Sequence, residues 1–396
     1  MSKLTDSPDS LSATAVDKGF RSDIQALRAL AVLLVVAYHA HLPGVHGGFL
    51  GVDVFFVISG FVITNVLLRE RESTSGTSLL DFYARRIRRI LPAATVVIIA
   101  TVFATYHWLS FISGAQAADD AKWVAAFVGN YHFAALGTNY FSRTLPPSTL
   151  QQFWSLAIEE QFYLVWPLLF LIIAAISRRD HLRRSLLTSL TVIITGSLTW
   201  SIIQTNNNAI LAFYSPLTRA WELALGASLA IAAPLMHDRA PRLGKWFRSL
   251  GLLAILASVW WVTSATLWPG AASIVPVVGT AVMIAGGTLS ASKGYDLLTD
   301  HPIVQWIGLI SFSLYLVHWP IFAIATEYSS HSLSWGVNLL FVALSIALAA
   351  ILYFSVESPL RRQPLLVRHR ALTYAMGVAL IGLTYSAIYW HLAHYG

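Results

Sequence analysis

The sequence contains no cysteine. Disulfides and thiolate metal sites are therefore excluded. Charge is also scarce: Asp, Glu, Lys and Arg make up 11% of the 396 residues, against about a quarter in a soluble domain. So few charges cannot wet a globular surface, and 56% of the residues are hydrophobic with a mean hydropathy of +0.63. Much of the surface must face lipid. An internal repeat is lacking, as is any stretch long enough for an attached soluble domain, so function must sit in a helix bundle and its short loops. The net charge of +7 is not a nucleic-acid footprint, because the basic residues cluster in short loops between apolar runs. Metal-ligand spacing is missing too: His39 and His41 are two apart and diverge on a helix, so no metal is expected.

What is present is a series of apolar runs. Residues 1–20 are polar and rich in Ser, Asp and Thr, and read as a disordered tail rather than a cleaved leader. Residues 21–396 follow as one transmembrane domain. Eleven stretches there are long enough to span a bilayer, near 26–42, 49–68, 91–111, 154–176, 186–203, 210–233, 249–268, 272–290, 303–326, 333–356 and 371–392. The expected fold is all-α, a polytopic membrane bundle of about 10–11 transmembrane helices. Residues 121–141 read as an amphipathic segment that dips into the outer interface without crossing. Placing the N-terminus in the cytoplasm puts 23 of 26 Lys and Arg residues on that side. Four lie in the tail through Arg28, six in 69–89, four each in 178–184, 239–248 and 361–370, and one is Lys293. The positive-inside rule thus orients the chain, with the inner (plasma) membrane as its location.

Charges and imidazoles are costly in hydrocarbon, so an apolar segment that keeps them is a functional candidate. Arg28 and His39 are eleven positions apart, within about 20° of three full helical turns, so they share a face of the first helix about 16 Å apart along its axis. One face thus bears an anion clamp at the cytoplasmic rim and a base near the outer mouth. For Arg28 a snorkelling anchor is an equal alternative, and for His39 a hydrogen-bonded packing role is the lesser one. Gly47, Gly48 and Gly51 precede Asp53, where they let backbones approach closely. Asp53 either caps the second helix or orients the imidazole of His39; spacing leaves both open. Arg85, Arg86, Arg88 and Arg89 form a cluster whose forks suit phosphates, or which anchors the chain against anionic lipid. Glu159 and Glu160 adjoin on the fourth span. Glu159 shares a face with Tyr163 and either serves an acceptor hydroxyl or a proton relay, or pairs with Arg219. Arg219 and Glu222, three apart, can pair with each other. His318, with Tyr315 three positions before it and Pro320 two after, is either an acceptor contact or a structural one.

These segments together form a pattern. R-x10-H on the first span, GGFLGVDVFFVISGF on the second, FYARRIRRILP after it and WSLAIEEQFYL further on are followed by TRAWELALGA, ISFSLYLVHWPIF and VESPLRR. The ordered set, from about residue 20 to 365, resembles the acyltransferase-3 family of membrane acyltransferases. The resemblance implies transfer of an acyl group, often acetyl from acetyl-CoA, to a hydroxyl of a sugar, lipid or macrolide. It implies Arg28 and His39 as the functional pair and the R-x-x-R motif at Arg85/Arg88 and Arg86/Arg89, with acyl-CoA as donor substrate. On this reading the site comprises His39, Asp53 and Glu159 for catalysis, Arg28, Arg85, Arg86, Arg88 and Arg89 for the donor, and Glu160, Tyr163, Tyr315 and His318 for the acceptor. His39 deprotonates the acceptor hydroxyl, or forms an acyl-imidazole, with the thioester threading up from the basic doorway. The acceptor is an envelope glycan or glycolipid, with a macrolide-tailoring enzyme and a glycolipid transporter or flippase as alternatives. Two departures stand out. Gln152 replaces the histidine that relatives often place before WSL, and the soluble hydrolase-like domain that many relatives carry after the membrane domain is not expected.

Overall fold

A computed structural model describes residues 21–74, 77–138, 140–141, 147–237, 239–290, 297–331 and 333–395. The expected tail, 1–20, and Arg143 and Lys293 of the charge count lie outside the described residues.

The apolar runs become helices, and small polar residues and prolines set their starts. In chain order the helices are α1 (Ser22–His39), α2 (Gly51–Thr74), α3 (Leu79–Trp108), α4 (Phe111–Ala125), α5 (Gly129–Ala135), α6 (Phe153–Ile176), α7 (Leu182–Asn207), α8 (Ala209–Tyr214), α9 (Pro216–Met236), α10 (Pro241–Trp261), α11 (Ile274–Leu289), α12 (Leu297–Asp300), α13 (Pro302–Ser329), α14 (Trp335–Leu352), α15 (Ser358–Arg362), α16 (Pro364–Arg368) and α17 (Arg370–Tyr395). Ser78, Ser110, Ser215 and Ser334 cap α3, α4, α9 and α14 by accepting a first-turn N–H. Pro216, Pro241 and Pro302 occupy first-turn positions, where the missing N–H costs nothing. A π-helical turn, Tyr353–Glu357, joins α14 to α15.

Among the described residues there is no strand, and nine helices are long and apolar enough to cross a membrane: α1, α2, α3, α6, α7, α11, α13, α14 and α17. The chain is a multi-pass membrane helix bundle. α9 and α10 match the other two expected spans at 21 residues each. Their charged residues, Arg219 and Glu222 in α9 and Arg242, Lys245 and Arg248 in α10, lower their hydropathy. The stretch expected to dip into the interface is divided between the end of α4 and the seven-residue α5, too short to span.

Two contacts fix the site's frame. α1 and α13 pack side by side and run parallel: Gln305 Nε2 donates to the Ser22 carbonyl near their starts, and His39 meets His318 at the other end. α2 packs on α9 at glycine contacts. A Cβ on Gly60 would stand 1.8 Å from the Leu223 carbonyl oxygen, and one on Gly226 1.9 Å from that of Val57. Only hydrogen fits there, the close-approach device of membrane helices. Near the start of α2, Gly48 and Gly51 meet α1 in the same way, with built Cβ positions 2.2 Å and 2.3 Å from the Leu34 and Ala31 carbonyl oxygens.

Candidate active site

The site is assembled from α1, α2, α3, α6 and α13. Where these helices splay, they leave a cavity of about 860 Å³, at the upper end of the size of small-molecule sites. Its mouth is at the end of the bundle that bears the start of α1, where exposed Arg69, Pro234 and His237 line it. Arg28, Arg86 and Arg89 line the wall further in. The deep end is closed by Phe55, Phe56, Ser155 and Tyr315.

The arginines of this wall divide into two kinds. Arg86 is engaged: it donates to Glu160 at 3.0 Å, lies 3.9 Å from Glu159, and stacks over the Tyr163 ring at 3.9 Å. Arg28, Arg69 and Arg89 form no hydrogen bond or salt bridge with a described residue. Unpaired guanidiniums inside a bundle are costly unless an anion completes them. The wall thus presents guanidiniums that no described residue pairs with directly.

Beyond Tyr315 lies a second cluster. The Tyr315 hydroxyl is 2.6 Å from Ser155 Oγ and donates to the Gln152 carbonyl at 2.9 Å. Its ring is 5.6 Å from that of His318, whose centroid is 5.2 Å from that of His39 at an interplanar angle of 29°. His39 Nδ1 is 3.1 Å from His318 Nε2, and His39 Nε2 is 2.9 Å from the Tyr140 hydroxyl. His318 Nδ1 is 3.1 Å from the Leu314 carbonyl. Trp319 meets His39 edge-on at 4.6 Å and is anchored by its indole N–H to the Ser148 carbonyl. Burial pushes the Tyr140 hydroxyl well above the usual phenol range, which keeps it a neutral donor. His39 ends α1 and is partly exposed, with exposed His41 beyond it. The cluster thus faces the end of the bundle opposite the cavity mouth.

With this geometry in place, similarity to known proteins is informative. The family model described as "Acyltransferase domain" matches residues 21–354. The chain belongs to this acyltransferase family. It is 31% identical over 363 residues to the peptidoglycan O-acetyltransferase OatA of Listeria monocytogenes, covering 88% of this chain and 57% of that protein. It is 30% identical over 354 residues to the putative peptidoglycan O-acetyltransferase YrhL of Bacillus subtilis, covering 86% and 55%. A putative O-acetyltransferase of Staphylococcus aureus is 28% identical over 348 residues, covering 86% and 57%. The chain spans a little over half the length of these relatives. No solved structure matches the chain.

Several residues expected at the acyltransferase site take other places. Asp53 does not touch His39: it accepts from Arg219 Nη1 at 2.6 Å, and Glu222 accepts from the same nitrogen at 2.9 Å. All three are buried at 0–1% exposure, so this ionic group joins α2 to α9. Glu159 has Ser59 and Tyr163 as hydrogen-bond donors, and its nearest guanidinium is Arg86, not Arg219. Glu159 and Tyr163 line the cavity, whereas Glu160 is behind the wall, paired with Arg86. The arginine cluster also separates. Arg86 and Arg89 face the cavity; Arg85 turns outward to Glu70 at 2.5 Å, and Arg88 donates to the Leu366 carbonyl and Thr373, tying α3 to the α16–α17 corner. Residues near 100° apart on one helix cannot all face one ligand. The continuous passage expected between the basic doorway and His39 is interrupted: His39 and His318 are not on the cavity wall, and Tyr315 stands between. The reading of spacing alone missed Arg69, counted there only as a topological charge, and Tyr140, a loop residue 101 positions from His39 that no local pattern links to it. Among the described residues no group of His, Asp and Glu could hold a metal ion.

Proposed function

We propose that this chain is a membrane O-acyltransferase that takes an acetyl group from acyl-CoA at the arginine-lined cavity and delivers it to a hydroxyl of a cell-envelope glycan at His39. The relatives named as peptidoglycan O-acetyltransferases support the acyl group and the acceptor class. One observation carries the reading: three arginines with no hydrogen bond or salt bridge to a described residue line a cavity whose blind end is one ring from a histidine pair. Phosphates and pyrophosphate of a CoA suit Arg28, Arg69, Arg86 and Arg89, because guanidinium forks match their oxygens. The pantetheine arm lies along Ser59, Phe55 and Ser155, and Tyr315 swings aside to admit the thioester. In the orientation set by the positive-inside rule, the donor enters from the cytoplasm of the inner membrane and the acceptor meets His39 from the other side.

The reaction follows from these positions. His39 Nε2 takes the proton of the acceptor hydroxyl as its oxygen attacks the thioester carbonyl. The tetrahedral intermediate collapses with cleavage of the C–S bond, and the proton on His39 passes to the departing CoA thiolate. An O-acyl glycan and free CoA result. The test is mass spectrometry of envelope glycans from cells that produce the wild type or His39→Ala. The wild type adds the acetyl mass; the variant, at equal membrane abundance, gives less than about 1% of it, the loss of a general base. Undiminished acetylation in the variant overturns the scheme.

A further inference from the structure

The hydrogen bonds around His39 fix more than its position. The Leu314 carbonyl can only accept, so the proton on His318 must be at Nδ1, 3.1 Å away. His318 is fully buried, and among the described residues no carboxylate bonds to either ring. Each ring therefore has one proton, because an imidazolium would lack a counter-ion. With its proton at Nδ1, His318 presents the lone pair of Nε2 to His39. The His39 nitrogen facing that lone pair at 3.1 Å is Nδ1, which must be the donor. The remaining His39 nitrogen, Nε2, is then a lone pair, and the Tyr140 hydroxyl donates to it at 2.9 Å.

We propose that His318 is the positioning residue that holds His39 in its Nδ1–H tautomer, so that Nε2 is the base. A backbone carbonyl of α13 thereby sets the protonation of a ring on α1. In many histidine bases this task falls to a carboxylate; here Asp53 is committed to Arg219, and a second imidazole takes it. The two rings are tilted by only 29° with centroids 5.2 Å apart, so they meet nearly edge to edge and the in-plane Nε2 lone pair is directed at His39 Nδ1. When His39 takes the substrate proton at Nε2, its Nδ1–H···Nε2 bond to His318 becomes charge-assisted and stabilises the imidazolium. Nε2 faces Tyr140, the direction from which an alcohol can donate.

This inference rests on the reading of His39 as the base, and the experiment separates the two. Full-length chain in native membranes is assayed with labelled acetyl-CoA and a peptidoglycan-derived oligosaccharide, using the wild type, His39→Ala, His318→Leu and His318→Gln. Leucine has no acceptor; the glutamine carbonyl can accept from His39 Nδ1. The result expected is a loss of at least about 100-fold in kcat for His318→Leu with an unchanged KM for acetyl-CoA, and at least a tenfold recovery in His318→Gln. Equal rates for the leucine and glutamine variants, a leucine variant that also loses acetyl-CoA affinity, or one within threefold of the wild type while His39→Ala is inactive, each overturn the role of His318. Activity in His39→Ala instead overturns the reading beneath it.

Discussion

At the scale of single residues, the site is defined by which charges are already satisfied. Arg219 is among the most buried side chains of the chain, yet both of its carboxylate partners, Asp53 and Glu222, are at hand. It is a structural ion, and burial alone would have mistaken it for a functional one. Arg28 and Arg89 are the reverse, lining a cavity with no hydrogen bond or salt bridge to a described residue. They are the residues whose loss a ligand should feel. Arg28→Ala and Arg89→Ala each remove one charge-assisted contact of about 1.5–3 kcal/mol. The expected outcome is a KM for acetyl-CoA raised about 10- to 100-fold, with Arg85→Ala, whose partner is Glu70, near the wild type. Steady-state kinetics over a range of acetyl-CoA concentrations checks this. An equal effect of all three substitutions would assign the arginines a common topological role instead. The pairing of Arg28 with His39 on one helix was legible from their spacing. The partners of His39 were not, because His318 and Tyr140 are separated from it by 279 and 101 positions, and contact at such range is decided by packing rather than by local pattern.

At the scale of elements, eleven apolar stretches were readable because hydrocarbon demands length and apolarity, and each corresponds to a helix. What the runs could not disclose is which helices neighbour one another. α1 and α13 are distant in sequence and parallel in space; together they bear Arg28, Ser311 and Tyr315 on the cavity and His39 and His318 beyond it. The contact between α2 and α9 holds the opposite side of this frame. Its tolerance is testable. Gly226→Ala would place a methyl group 1.9 Å from the Val57 carbonyl oxygen, and forced separation of such helices costs about 1–3 kcal/mol or more. Gly382 on α17 has open space around it, so Gly382→Ala should be neutral or stabilise by about 0.5–1 kcal/mol. Thermal unfolding in detergent should show a lowered midpoint for the first variant alone. Equal midpoints would mean that the α2–α9 contact is slack.

At the scale of the whole molecule, an arginine-lined chamber opens at one end and a histidine pair sits at the other, with Tyr315 as the partition. The low charge content pointed to a membrane and the grouped basic residues gave an orientation. The partition was not legible, since a tyrosine in an apolar run reads the same whether it packs, gates or binds. The central claim is that an acyl group passes through the bundle between its two ends. Sealed proteoliposomes of one orientation test it directly, with labelled acetyl-CoA supplied at the Arg69 face and oligosaccharide trapped at the His39 face. Label is expected on the trapped oligosaccharide with wild-type protein and none with His39→Ala. Label only on oligosaccharide that shares the compartment of acetyl-CoA would contradict it.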